Sequence, residues 1–91
     1  MEARTVITQF EVKDFAGWME AFERYGAERK AAGLVSSKVY RQADSPTVVF
    51  AILEWRSEAA AKAYVEGMAI KAKMMDAGVV GLPQFHFVAE A

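Results

Sequence analysis

The feature of this chain that most constrains its fold is the order in which strand-like and helix-like segments alternate. Two segments show the three- and four-residue spacing of apolar side chains that is typical of amphipathic helices, and four are rich in β-branched or aromatic residues. The strands are predicted over 4–12, 36–42, 47–55 and 84–89, and the helices over 14–33 and 57–78. The order strand, helix, strand, strand, helix, strand places both helices on the same face of one sheet.

Both predicted helices have an apolar stripe and recognisable ends. The stripe of the first helix comprises Phe15, Trp18, Met19, Phe22, Tyr25 and Gly26. Asp14 is expected to be the N-cap of this helix and Gly33 its first residue beyond the C-cap. Ser57 is expected to cap the second helix, and Gly67 to kink it.

The segment 47–55 is apolar on both faces, which is unusual for a strand that is covered by helices on one side only. Val48, Phe50 and Ile52 alternate with a second apolar set: Val49, Ala51, Leu53 and Trp55. The two helices cover one face, and a second copy of the chain is the economical cover for the other. We therefore predict an α+β fold, a ferredoxin-like βαββαβ domain with a four-stranded antiparallel sheet, over residues 1–91, paired as a homodimer.

Composition narrows the classes of function. The chain has 91 residues with 11 basic and 12 acidic side chains, which are interspersed, so it shows no basic patch for nucleic acid. It has no cysteine, which rules out disulfides and thiolate metal sites. It also shows neither a secretory signal nor a run of about 18 apolar residues for a membrane span. We expect a cytoplasmic protein without a nucleic-acid or membrane partner.

Few side chains are candidates for chemistry. His86 is the only histidine, so it is the candidate general acid or base, the alternative being a hydrogen-bonded residue at an interface. Tyr40 and Arg41 are adjacent on a strand and therefore point to opposite faces. Tyr40 is a candidate for hydrogen bonding to a ligand carbonyl. Trp55 is either a core anchor or part of a pocket wall, and its indole N–H needs a partner if it is buried.

The chain resembles the dimeric α+β barrel family, which includes antibiotic-biosynthesis-type monooxygenases, haem-degrading monooxygenases and small polyketide-cyclase-like proteins. The likeness is carried by LEWRSEA at 53–59, by the element order and by the aromatic last strand. It implies two four-stranded sheets facing each other in a dimer, with a pocket between sheet and helices in each protomer. It places Trp55 at the pocket, and Thr8 or Gln9 where oxygenases of the family have asparagine. Met74 stands near the position of the haem-ligating histidine, which disfavours haem binding.

The resemblance and the candidate residues together lead to a hypothesis about function. We expect binding or conversion of a small apolar carbonyl or phenolic compound, by monooxygenase-like or cyclase-like chemistry, without a metal or other cofactor. His86 is the catalytic candidate, and Thr8, Tyr40 and Trp55 are the candidates for the substrate pocket. The alternative is a non-catalytic protein that binds a ligand or serves in assembly, with its apolar interior filled by side chains.

Overall fold

The order of elements is the predicted one, with each helix divided in two. A computed structural model describes residues 2–91, including the side chains except those of 68–70. The elements are β1 (Thr5–Val12), α1 (Phe15–Arg24), α2 (Gly26–Ala31), β2 (Leu34–Gln42), β3 (Ser45–Trp55), α3 (Glu58–Glu66), α4 (Met68–Asp76) and β4 (Val79–Val88). Among these described residues, no helix is both long enough and apolar enough to cross a membrane.

The four strands form one antiparallel sheet in the order β2-β3-β1-β4. This order confirms the ferredoxin-like α+β fold class, because the two strands that are adjacent in space at the centre, β1 and β3, are connected through the first helical segment and β2. Alternation along the strands gives the sheet two different faces. One face is covered by the helices and buries alternate residues of the central strands, including Val6, Phe10, Val49 and Leu53.

No described element covers the other face, which we call the open face. Its central apolar residues are half-buried: Ile7, Val48, Phe50 and Ile52. Ile7 pairs with Ile52 on β3 and with His86 on β4, and Phe50 pairs with Tyr40 on β2. The predicted double-sided apolar character of β3 is therefore real, and half of it faces outward in the protomer.

Both helical segments begin where the sequence indicates, but the first is interrupted within its predicted length. The Asp14 carboxylate accepts a hydrogen bond from the Gly17 N–H at 2.9 Å, and the Ser57 hydroxyl accepts one from the Ala60 N–H at 3.1 Å. Gly67 separates α3 from α4, as predicted, with an extended backbone of φ −65° and ψ 134°. The break at Tyr25, with φ −91° and ψ 7°, was not predicted. Gly26 follows it, and glycine has a low intrinsic helix propensity.

The last strand differs most from its prediction. It begins at Val79 rather than at residue 84, because Val79 and Val80 pair with Val12 and Glu11 of β1. The register then shifts between Gln9 and Glu11 of β1. Gly81 lies in this irregular stretch with φ +73°, a backbone conformation that residues other than glycine rarely adopt. Tertiary pairing thus extends a segment whose glycines and proline are typical of a turn.

The core consists of two clusters on the helix-covered face. One is centred on Trp18, whose ring lies 5.2 Å from that of Phe10 and 5.0 Å from that of Phe22. The other contains Trp55 and Leu53 with Ala61 of α3. The methyl side chain of Ala61 is fully buried, which allows α3 to lie close to the sheet.

A hydrogen-bonded clasp ties the residues before β1 to the start of α3. The Glu58 carboxylate accepts a hydrogen bond from the Ala3 N–H at 2.7 Å and pairs with the Lys62 ammonium at 3.3 Å. The Glu58 N–H donates in turn to the Glu2 carboxylate at 2.9 Å. The Ala3 N–H first, and then Lys62, hold the pKa of the Glu58 carboxyl below its ordinary value of 4.5.

This lowered pKa predicts how stability depends on pH. A carboxyl whose pKa is lower in the folded state stabilises the fold above its unfolded pKa, and that contribution disappears as the pH falls through the folded pKa. Glu58→Gln is therefore expected to lower the melting temperature slightly at neutral pH and to leave it equal to that of the wild type in strong acid. Thermal unfolding of both proteins across the acid range measures this. A difference that grows on acidification would contradict the assignment.

Candidate functional site

A cavity lies between the helix-covered face of the sheet and the helices. Its volume is about 70 Å³, and it opens to solvent. Since one buried water needs roughly 10–15 Å³, the cavity is larger than the site of a single water molecule. Most of its wall is apolar, with Phe10, Trp18, Leu53, Met74 and Phe85 among the lining residues.

Arg29 is the exceptional member of the cavity wall. It lies on α2 and is only 5 % exposed, although it carries a positive charge. Its Nη2 atom donates a hydrogen bond to the Phe22 carbonyl oxygen at 2.5 Å, and its guanidinium carbon lies 3.7 Å from the centroid of the Phe22 ring. Its Nε atom is buried and has no hydrogen-bond partner in the described part of the chain.

Other polar groups surround the same space. Thr8 of β1 is 4 % exposed and lines the cavity from the sheet. Tyr25 and Tyr64 line it from the helical side, together with Lys73. The Lys73 ammonium is paired with the Glu28 carboxylate and lies 5.1 Å from the centroid of the Tyr25 ring. The cavity therefore combines apolar walls with a few polar groups, an arrangement typical of sites for small organic ligands.

The structure places two of the predicted site residues on the helix-covered face. Thr8 lines the cavity. Trp55 is 1 % exposed and lies in the core behind Tyr64, with 4.6 Å between the two ring centroids. Its indole Nε1 is buried without a hydrogen-bond partner among the described residues. Trp55 thus shapes the cavity indirectly, by supporting Tyr64.

The other two predicted site residues are on the open face. Tyr40 is 53 % exposed, and His86 is exposed beside Ile7. The sheet separates both from the cavity, so the fold does not bring His86 together with Thr8. A catalytic role for His86 stays a prediction. Arg41 points the opposite way from Tyr40, as expected from alternation, and its guanidinium lies 4.2 Å from the centroid of the Phe15 ring.

Arg29 was missed at the level of sequence, although the sequence contains a signal for it. The residue continues the apolar stripe of the first helical segment, seven positions after Phe22 and three after Gly26. A charged residue at a position that repeats as apolar is a candidate for a buried functional group. Among the residues whose side chains are described, no three histidine, aspartate or glutamate side chains come together as a metal site would require.

Solved structures with the same fold include several oxygenase-like proteins. SnoaB, a cofactor-independent oxygenase from Streptomyces nogalater, is 16 % identical with a TM-score of 0.70, over 96 % of this chain and 93 % of that one. A protein from Bordetella bronchiseptica, provisionally described as an antibiotic biosynthesis monooxygenase, is 12 % identical with a TM-score of 0.79, over 96 % and 95 % of the two chains. Rv0793 from Mycobacterium tuberculosis is 14 % identical with a TM-score of 0.70, over 96 % and 93 %. At these identities the likeness establishes the fold.

Sequence comparisons test membership of a family, which the shared fold alone does not establish. A search of curated protein sequences gives no significant match. The sequence model of the antibiotic biosynthesis monooxygenase family matches residues 4–74, which contain β1 to β3 and most of the helical wall of the cavity. The chain therefore belongs to the antibiotic biosynthesis monooxygenase family.

Proposed function

We propose that the protein binds a small, largely apolar carbonyl or phenolic compound in the cavity and oxygenates it without a metal ion or organic cofactor. The observation that carries this proposal is the cavity itself, with apolar walls and the polar groups of Arg29 and Thr8. Family membership and the shared fold with a cofactor-independent oxygenase support the type of reaction.

The chemistry requires a substrate that can supply its own electrons. A phenol with a free position opposite its hydroxyl meets this condition: the carbon–hydrogen bond and the O–H bond are lost, and two carbonyl groups remain. One atom of O₂ becomes the new carbonyl oxygen on the ring carbon that lost its hydrogen. The other atom leaves as water with the two hydrogens. The protein contributes by positioning the ring against the apolar wall of the cavity.

The cavity also bears on the alternative, a protein that only binds or assembles. That alternative predicts an interior filled by side chains, and the space beside Thr8 and Arg29 favours ligand binding over pure self-association. A cyclase-like reaction would use the same cavity but consume no oxygen. Oxygen uptake therefore separates the two types of chemistry.

We also propose that the open face pairs with a second copy of this chain. All four helices lie on the other side of the sheet, so this face has no cover within the protomer. Its centre is apolar, since Ile7 pairs with Ile52 and Phe50 lies two residues before Ile52 on β3, while Lys38 and Glu54 lie toward the margin. An apolar centre with a polar rim is the usual composition of a protein interface. Tyr40 and His86 would then lie between two sheets.

The oxygenase proposal is tested with 1-naphthol as the probe, in the presence of a metal chelator. We expect one O₂ to be consumed per naphthoquinone formed, with one labelled oxygen atom in the product when ¹⁸O₂ is supplied. Binding of 1-naphthol without oxygen uptake above the rate in buffer would contradict the oxygenase proposal and favour a protein that only binds its ligand or that converts it by a cyclase-like reaction.

Thr8→Val is expected to lower turnover of 1-naphthol about threefold to tenfold, since it removes one hydroxyl from the cavity and keeps the shape of the side chain. Thr5→Val is the matched control, because Thr5 lies on the same strand but on the open face. Circular dichroism confirms that both variants fold. Equal turnover in both variants and the wild type would exclude a role for the Thr8 hydroxyl.

A further inference from the structure

We infer that Arg29 is the anion-binding residue of the cavity, and that the ligand is held as its oxyanion, a phenolate or enolate, with the charged oxygen on the guanidinium. The inference rests on the proposed function, since it specifies the chemical form in which the proposed carbonyl or phenolic compound binds. It assigns a role to a residue outside the sequence-predicted site.

The first argument is the cost of burying an unpaired charge. Arginine stays protonated in proteins, and a buried guanidinium is normally paired with a carboxylate. Arg29 is 5 % exposed, and no ion pair joins it to an acidic side chain in the described part of the chain. The adjacent Glu28 pairs with Lys73 instead. The site thus holds a positive charge without a negative partner, beside a space that a ligand can enter.

The second argument is the number of donors that the protein leaves unused. A guanidinium has five N–H donors. The Phe22 carbonyl accepts one of them from Nη2, and the buried Nε has no acceptor among the described residues. The planar arrangement of guanidinium donors matches two lone pairs of an anionic oxygen or two neighbouring oxygens.

A purely structural role explains only part of this geometry. The Phe22 carbonyl lies in the last turn of α1, where carbonyl groups lack helical partners, so Arg29 acts as a cap there. The Phe22 ring also covers one face of the guanidinium. Both contacts orient the group rather than neutralise it. An ordered cation in an apolar wall is the arrangement expected for recognising a flat, singly charged anion.

The consequence for chemistry is a shift in the ionisation of the ligand. An apolar cavity alone disfavours the charged form of a phenol, whereas a neighbouring fixed cation favours it. The phenolate is richer in electrons than the phenol and is therefore the form that reacts more readily with O₂. Arg29 would thus act on both the affinity and the reactivity of the bound compound.

The test uses 4-nitrophenol, whose anion absorbs visible light, and 4-nitrotoluene as a neutral probe of similar shape. With the wild type, we expect bound 4-nitrophenol to ionise at a lower pH than the free probe, by about one unit. In Arg29→Met, we expect affinity for the phenolate to fall roughly tenfold to a hundredfold, while affinity for 4-nitrotoluene changes by less than about threefold. Arg24→Met is the matched control, because the Arg24 side chain is 62 % exposed.

Each outcome has a distinct meaning. If bound 4-nitrophenol ionises at a higher pH than the free probe, the cavity is simply apolar and the inference is wrong, a result that needs no variant. If the wild type prefers 4-nitrobenzoate to both other probes, the phenolate assignment is overturned. If the wild type binds none of the probes, the ligand proposal itself fails. Arg29→Lys keeps the charge, and we expect it to retain part of the affinity, which separates loss of charge from loss of packing.

Discussion

Trp18→Ala is expected to lower the free energy of unfolding by about 3–5 kcal/mol, a large share of the roughly 5–15 kcal/mol that stabilises a typical domain. Trp18 is 4 % exposed and belongs to a chain of aromatic contacts, with its ring centroid 5.2 Å from that of Phe10, 5.9 Å from Phe15 and 5.0 Å from Phe22. Its removal costs the transfer free energy of the indole and enlarges the adjoining cavity. The substitution also removes the ring that packs against Phe22, whose own ring lies against the Arg29 guanidinium.

Urea unfolding at a fixed protein concentration measures this loss. Trp18→Phe keeps an aromatic ring in the cluster, so we expect a smaller loss than for alanine. Glu23→Ala is the control on the same helix, because Glu23 is exposed, and its effect should stay within about 0.5 kcal/mol. A loss below about 1 kcal/mol for Trp18→Ala would mean that the aromatic cluster does not organise the core.

Phe50→Lys is expected to dissociate the proposed homodimer. Phe50 lies on the central strand β3, paired with Tyr40 and Gln9 on the open face. A two-fold interface would contain the substitution twice, so two ammonium groups would be buried in apolar surroundings or the interface would separate. A penalty of about 3 kcal/mol or more raises the dissociation constant at least a hundredfold.

Light scattering after size-exclusion chromatography distinguishes the two states directly. We expect the wild type to have twice the mass of the chain and Phe50→Lys to have the mass of one chain. Ala59→Lys adds the same charge to an exposed position of α3 and should leave the mass of the wild type unchanged. A monomeric wild type, or a Phe50→Lys variant that remains a dimer at micromolar concentration, would refute pairing through this face.

Ligand binding and assembly are proposed for opposite faces of the sheet. Thr8 and Arg29 belong to the cavity on the helix-covered face, whereas Tyr40 and His86 belong to the open face. A substitution at Phe50 should therefore alter assembly while the cavity keeps its lining. A substitution at Arg29 should alter ligand binding while assembly is retained.

The predictions of helix caps and of the break at Gly67, which depend only on residues close together along the chain, were correct. Asp14 and Ser57 cap helices because each side chain reaches an N–H three residues later, which requires no tertiary contact. The break at Gly67 follows from the cost of glycine in a helix. The early start of β4 at Val79 was missed, because it depends on pairing with Val12, far away along the chain.

The sequence by itself determined the order of the elements, the ferredoxin-like sheet and the apolar character of both faces of β3, because these follow from the periodicity of side chains along each segment. Only the tertiary structure decided which side chains meet at the cavity. The four predicted site residues divide between two faces, while the packing of α2 over the sheet brings Arg29 into the wall of the same cavity as Thr8. The position of Arg29 on an apolar stripe is visible in the sequence. Whether its charge finds an acidic partner depends on which side chains the other segments bring near it, and among the described residues none pairs with it.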